Sequence, residues 1–301
     1  LYIVGVGIYQ KSIGKLLGSS SFLLSKPESQ KLPFVISSPH SGRCYSPEFQ
    51  RMSRVSVAGL ERSEDRFVDL LVRGVVDLGV PVLEANFPRS FVDLNRSPTD
   101  LDPQLISGIS GVFVRETISE KVRQGLGVLP RLAANGAEIY DQLLPISEAR
   151  RRLLYYYFPY HKMLRALLRA TKARFGFVVL MDFHSMPSKS VGEGSSIANS
   201  VVLGDVFGTS ALSNVADEAA VIFSNLGYRI LRNKPYSGGF ITQHYGRPGE
   251  GISVLQIEIS RAAYMDEQTL KSRRSFDRVK ADIALFISAF ADRLKLAQAA
   301  E

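Results

Sequence analysis

The apolar positions along this chain switch between two periods. Phe34-Val35-Ile36-Ser37-Ser38 is a short apolar run that Pro39 stops, the pattern of a buried strand. Over residues 61–78, Phe67, Leu70, Leu71, Val75 and Val76 recur at helical spacing, and Gly79 stands where a helix would stop. Residues 80–85 and 90–94 read as two more strands, and residues 98–111 have loop composition. Residues 139–173 predict helix broken into pieces at Pro145 and Pro159. Phe177-Val178-Val179-Leu180-Met181 is β-rich and apolar throughout, which predicts a central strand. A helix over 211–226 closed by Gly227, strands over 228–231 and 253–259, and a long amphipathic helix over 276–296 complete the pattern.

Strands alternating with helices predict an α/β fold, a three-layer α/β/α arrangement around a mixed, mostly parallel central sheet. No repeat and no Gly/Ser/Pro-rich linker divides the chain, so residues 32–301 are expected to form one domain. Residues 1–31 are less patterned, and Gly18-Ser19-Ser20-Ser21 suggests a loose N-terminal arm.

Composition narrows the function classes. Of 301 residues, 45% are apolar and 22% charged, the balance of an ordinary globular protein. The formal charge of +8 comes from lysines and arginines spread along the chain rather than from a stripe or tail, which argues against nucleic acid as a partner. Such a charge suits a pocket for a small anion. The densest run, Arg150-Arg151-Arg152, is expected on the solvated face of a helix. A lone cysteine, Cys44, makes no intrachain disulfide and reads as a buried, inert thiol. No apolar run approaches the ~20 residues of a membrane helix. The lysines near Leu1–Tyr9 follow the apolar stretch, the wrong order for a signal peptide, so a soluble cytoplasmic protein is expected.

In sheets of this kind the site lies beyond the carboxyl ends of the strands. Two histidines stand there: His40 in Ser38-Pro39-His40-Ser41-Gly42, and His184 in Asp182-Phe183-His184-Ser185. Imidazole is the commonest metal ligand, and a catalytic zinc usually takes three protein ligands. A carboxylate is the natural third, and Glu64 and Asp65 are both on offer. Two satisfied structural histidines are the plain alternative. Asp182, two residues before His184, lies on the same face of an extended chain and can hold the other ring nitrogen. Glu258 sits among Leu255, Ile257 and Ile259, where burial would raise its pKa toward that of a general base; a salt bridge to a nearby Arg is the alternative. Asn95-Arg96 suits a substrate carboxylate, with Arg89 and Arg115 as further cations. The glycine-bearing run Ser237–Gly246 contains Thr242 and His244, and His244 can donate to a substrate carboxylate or an oxyanion. The fourth histidine, His161, lies on a helical face and reads as structural.

Taken in order, Ser38-Pro39-His40-Ser41-Gly42, Phe91-Val92-Asp93-Leu94-Asn95-Arg96, Asp182-Phe183-His184-Ser185, Gly238-Gly239-Phe240-Ile241-Thr242-Gln243-His244-Tyr245-Gly246 and Gln256-Ile257-Glu258 form a set that resembles the N-formylglutamate amidohydrolases. The likeness runs from about His40 to Met265. It implies a phosphorylase/hydrolase-like fold similar to zinc carboxypeptidases and aspartoacylases, and hydrolysis of N-formyl-L-glutamate to L-glutamate and formate, as in histidine degradation. It implies one Zn2+ on His40, His184 and a carboxylate. The carboxypeptidases take that carboxylate three residues after the first histidine, where this chain has Arg43, so by similarity Asp65 is chosen, with Glu64 as the alternative. It further implies Glu258 as the base, Arg89 assisting the metal in holding the oxyanion, and Asn95, Arg96, Ser185, Thr242 and His244 as substrate contacts. The expected partner is a small anionic N-acyl amino acid, with no membrane or nucleic acid; the oligomeric state is left open.

Overall fold

The long apolar runs become the middle of a sheet. The computed structural model describes residues 2–3, 21–109, 118–192 and 195–298. Its main sheet comprises β1 (Tyr2–Ile3), β2 (Phe22–Ser25), β3 (Phe34–Ser38), β4 (Val82–Ala85), β7 (Val178–Met186), β8 (Ser200–Gly204), β9 (Arg229–Arg232) and β10 (Ile252–Ser260). A separate two-stranded ribbon pairs β5 (Ile106–Ser107) with β6 (Leu144–Pro145). The main order is β1-β2-β4-β3-β7-β10-β8-β9. The four central strands β4, β3, β7 and β10 run parallel, while β2 against β4 and β8 against β10 are antiparallel. The sheet is therefore mixed and largely parallel, with helices on both faces.

The helices, in chain order, are α1 (Pro47–Met52), α2 (Val57–Leu60), α3 (Val68–Val72), α4 (Glu120–Arg123), α5 (Ile146–Arg152), α6 (Phe158–Phe175), α7 (Ser213–Asn225), α8 (Phe240–Tyr245) and α9 (Phe276–Gln298). Alternation along the strands divides the core. Val179, Met181, Phe183, Leu255, Ile257 and Ile259 pack with α3, α7 and α9 on one face. Val178, Leu180 and Val254 face the other way, against α5, α6 and the long loops of residues 86–140. On that second face the apolar alternation gives way to Asp182, His184, Gln256 and Glu258 as β7 and β10 near their carboxyl ends.

Several expected elements take another form. The helix over 61–78 is broken: a 3-10 turn at Glu61–Ser63, extended backbone at Glu64, a positive φ of 69° at Phe67, then α3 and a second 3-10 turn. The break lets the Glu64-Asp65 segment turn inward. The strand expected over 90–94 is a turn, because the Asp93 side chain accepts its own chain's Asn95 N–H at 2.9 Å and Phe91 N–H closes on Pro88 at 3.0 Å. Pro159 does not break its helix. A π turn at Leu153–Tyr157 joins α5 to α6, with Phe158 N–H bonding Leu153, so the missing proline donor is absorbed. Arg152, expected on a solvated face, is fully buried, donating to Glu148 at 2.7 Å, Tyr140 at 2.6 Å and the Phe91 carbonyl at 3.1 Å. Cys44 is exposed rather than buried. Of the expected N-terminal arm, residues 4–20 lie outside the described residues, but Phe22–Ser25 is a strand of the sheet with Phe22 and Leu24 buried. Strand β8 had no counterpart in the sequence reading, although Val201-Val202-Leu203 bounded by Asn199 and Gly204 carries the signal.

Candidate metal centre and active site

His40 follows β3 by one turn. Gly42 makes that turn possible: a Cβ there would lie 2.1 Å from the Phe87 carbonyl oxygen. The His40 carbonyl accepts the Asp65 N–H at 3.0 Å, which brings the broken 61–78 segment to the end of β3. His184 stands in β7, and Glu258 is its register partner in β10. Three separate segments are thus held against one strand edge.

His40, Asp65 and His184 each offer one ligand atom, and these atoms lie within 4.8 Å of one another. The two imidazole centroids are 4.8 Å apart. Each ring spends its Nε2 on a carboxylate: His40 donates to Asp93 Oδ1 at 2.7 Å, and His184 to Asp182 Oδ2 at 2.8 Å. Both Nδ1 atoms therefore face Asp65. His184 Nδ1 is 2.9 Å from Asp65 Oδ2, and His40 Nδ1 is 3.3 Å from it. The His40 contact is close but out of line for a hydrogen bond, so His40 Nδ1 is buried without a hydrogen-bond partner. An orphaned imidazole nitrogen converging with a second one and a carboxylate fits a divalent ion, and carboxylates behind both rings fix the tautomers such a site needs.

The electrostatics favour positive charge at the same point. Burial opposes ionisation of Asp65, but the hydrogen bond from His184 and the nearness of the His40 ring outweigh it and hold the carboxyl well below its usual range. Burial likewise works against a charged His184, yet the Asp182 carboxylate and the bonds to Asp182 and Asp65 raise it well above its ordinary value. Glu64, the alternative carboxylate, is turned away: it accepts from Tyr45 Oη at 2.6 Å and Arg66 Nη1 at 3.0 Å.

A cavity of about 500 Å³ opens over this cluster. Glu258 lines it, 7% exposed, and burial pushes its carboxyl up to about 7 against the pull of His184. Arg89 lines it while paired to Asp93 at 2.7 Å. Arg96 and Ser185 are also in the wall. Asn95 borders the cavity, but its amide already has work: Oδ1 accepts Ile241 N–H at 2.7 Å, and Nδ2 lies 3.5 Å from Gln256 Oε1. Gly239 fits over this amide because a Cβ would sit 2.3 Å from Asn95 Nδ2.

Two expected substrate contacts are not brought to the cavity. Thr242 is fully buried on α8 beneath Gly238. His244, on the same short helix, is exposed with its ring stacked on Phe240 at 4.8 Å. A helix following Gly238-Gly239 turns these positions away, whereas an extended glycine loop would have presented them. Arg115 lies outside the described residues. His161 is structural as expected, buried between the Leu94 carbonyl and Tyr245.

Three participants escaped the sequence reading. Asp93 joins His40 to Arg89. Gln256 donates to Glu258 Oε1 at 2.9 Å and accepts Gly239 N–H at 2.8 Å, so neither amide end can flip without losing a bond. Arg261 clamps the Asp65 segment, donating to the Glu64 carbonyl at 2.6 Å, Asp65 Oδ1 at 3.3 Å and Ser185 at 3.2 Å. Arg261 directly follows β10, so the rule of sites beyond strand ends could have found it.

This arrangement has relatives. The family model for N-formylglutamate amidohydrolase matches residues 32–265. N-formylglutamate deformylase of Pseudomonas aeruginosa is 30% identical over 241 residues, covering 79% of this chain and 84% of the relative. The Pseudomonas putida enzyme of the same name is also 30% identical, with 79% and 83% covered. The crystal structure of N-formylglutamate amidohydrolase from Ralstonia eutropha JMP134 superposes with a TM-score of 0.84 at 32% identity, over 93% of this chain and 99% of that one. Among the described residues no helix is long and apolar enough to cross a membrane. With its family model covering most of its length and its His-Asp-His cluster at the head of a largely parallel sheet, this chain belongs to the N-formylglutamate amidohydrolase family.

Proposed function

We propose that this enzyme uses one zinc ion, held by His40, Asp65 and His184, to hydrolyse the amide of an N-acyl acidic amino acid, with N-formyl-L-glutamate as first substrate. The orphaned, buried Nδ1 of His40, in one cavity with the buried Glu258, carries the reading. When bound, such an ion supplies Lewis acidity, polarising an acyl carbonyl and bringing the pKa of water toward ~7.

Glu258 is the base in this reading. It takes a proton from the attacking water and passes it to the leaving nitrogen, and a pKa of about 7 matches that task near neutrality. A divalent ion alongside would pull that value down, keeping the carboxylate ionised. The Arg89 guanidinium, fixed by Asp93, provides a donor for the oxyanion. Arg96, Ser185 and the edge of Asn95 receive the substrate's carboxylates. The single cysteine, which needs no oxidising compartment, is consistent with a cytoplasmic setting.

The test is metal analysis of the purified protein together with hydrolysis assays on N-formyl-L-glutamate, N-acetyl-L-glutamate and N-formyl-L-aspartate. One equivalent of zinc and fastest turnover of the formylglutamate are expected. The cavity of about 500 Å³ admits a larger acyl group, so preference for the acetyl substrate would move the assignment to a deacylase. No stoichiometric divalent metal, or no hydrolysis of any of the three, would remove the proposal.

A further inference from the structure

The cavity wall carries positive charge that its own carboxylates do not neutralise. Arg89 is paired to Asp93 and Arg261 to Asp65. Arg96 and Lys121 line the same cavity, and among the described residues neither has a carboxylate within ion-pair distance. The Arg96 guanidinium is fixed by neutral acceptors, Nε on the Leu126 carbonyl at 2.9 Å and Nη1 on the Asn95 carbonyl at 3.0 Å. Its Nη2 has no acceptor among the described residues. Among the described residues the Lys121 ammonium reaches only Gln124 Oε1, at 3.4 Å. Leu126 ties the two cations together, since its N–H bonds the Lys121 carbonyl at 2.8 Å while its own carbonyl holds Arg96.

Like charges gathered this way cost free energy until an anion sits among them. Lys121 registers that cost: partial burial first, then Arg96 and Arg89, push its ammonium below its ordinary value. The exposures are also graded. Asn95 is buried, Arg96 half-buried and Lys121 exposed, so positive charge steps outward from the metal cluster toward solvent.

We propose that Arg96 and Lys121 form a subsite for a second carboxylate, the side-chain carboxylate of the acidic amino acid whose amide lies at the His40–Asp65–His184 cluster. The proposal rests on the amidohydrolase reading only for where that amide lies. In glutamate two methylene groups separate Cα from the second carboxylate, which suits an outward step from Arg96 to Lys121. A neutral side chain of the same length leaves both cations unsatisfied. Lys121 is thus a specificity residue, which reads the substrate without touching the reacting atoms.

The experiment is calorimetric titration of the zinc-loaded protein with L-glutamate and with L-norvaline, for wild type, Lys121→Met and Lys121→Arg. Wild type is expected to bind glutamate at least tenfold more tightly, the size of one charge-assisted hydrogen bond at a partly exposed site. Lys121→Met should lose about that factor for glutamate and leave norvaline unchanged, and Lys121→Arg should restore most of it. Wild type that binds both alike or neither overturns the subsite, as does Lys121→Met that keeps the preference or weakens both ligands equally. Hydrolysis of N-formyl-L-glutamate is measured on the same wild-type sample. A preference that vanishes in Lys121→Met without any hydrolysis leaves the subsite standing and removes the deformylase reading alone.

Discussion

The floor and the wall of the cavity are built on opposite principles. On the floor each buried aspartate is held by at least two donors. Asp182 accepts from Ser37 at 2.7 Å and from His184, Asp93 from His40 and Arg89, and Asp65 from His184 and Arg261. These groups stand on or beside β3, β7 and β10, adjacent strands of the sheet. On the wall, Arg96 and Lys121 hang from loop and short-helix backbone and are held by neutral acceptors. A group locked by several buried hydrogen bonds keeps one geometry through every turnover, which is what chemistry requires. A cation held only by carbonyls keeps its charge for a ligand, which is what recognition requires. On the proposed function, the floor would act on the reacting bond and the wall would choose the molecule that carries it.

The largest test of that division is Glu258→Gln. The amide keeps the shape and the neighbouring Gln256 but cannot accept a proton, so kcat should fall by roughly 10²–10⁴ while zinc content stays at wild-type level. Steady-state kinetics and metal analysis on the same sample check it. A kcat within tenfold of wild type would mean the floor does not supply the base. Next in size is Arg261→Met. Arg261 acts through Asp65, so the expected loss is in metal affinity, about 10–100-fold by chelator competition, as for other groups that orient a ligand. Unchanged affinity would show that the histidines alone hold Asp65.

The same division explains what the sequence could say. His40, His184 and Glu258 were legible because strands are legible: each lies in or just past an apolar run, and polar residues there have few structural uses. Asp182 followed from a spacing of two on an extended chain. Asp65 could not be chosen over Glu64 by pattern, because the choice depends on a helix that breaks at a positive φ on Phe67, a residue type that seldom adopts one. Asp93 was hidden for a related reason: its segment reads as a strand until the side chain captures its own backbone. The wall was illegible. Lys121 is one lysine among many on a four-residue helix, and only the fold sets it beside Arg96.

A smaller effect lies behind the wall. His161 Nε2 donates to the Leu94 carbonyl at 3.0 Å and so backs the Asn95-Arg96 segment, while Tyr157 donates to the Arg96 carbonyl at 2.7 Å. The wall's cations are loosely answered, but its backbone is braced. Burial lowers His161 from 6.5 to about 3, so between those values the unfolded chain binds a proton that the native protein refuses. Stability from this group is therefore complete above pH 6.5 and declines on acidification, by up to about 1.4 kcal/mol per pH unit. Urea unfolding at pH 7 and pH 5 should show a shallower acid limb in His161→Gln than in wild type, whatever the substitution costs at pH 7. Identical slopes would mean that the ring is protonated in the native protein and does not brace the wall as a neutral donor.

The smallest expected effect asks where the wall ends. His244 stands in the sequence as a substrate contact, yet on α8 it is exposed and stacked on Phe240, outside the cavity. Its helix is anchored at the start, where Asn95 accepts the Ile241 N–H and Gln256 the Gly239 N–H, so reorienting His244 would break bonds that also hold the floor. His244→Ala should therefore leave kcat and KM for N-formyl-L-glutamate within about twofold of wild type, the range of an ordinary surface substitution. A KM raised tenfold would mean that α8 turns inward when substrate binds. The glycines before it would then act as a hinge, and the recognition surface would extend beyond Arg96 and Lys121 to a side chain that this fold keeps outside the cavity.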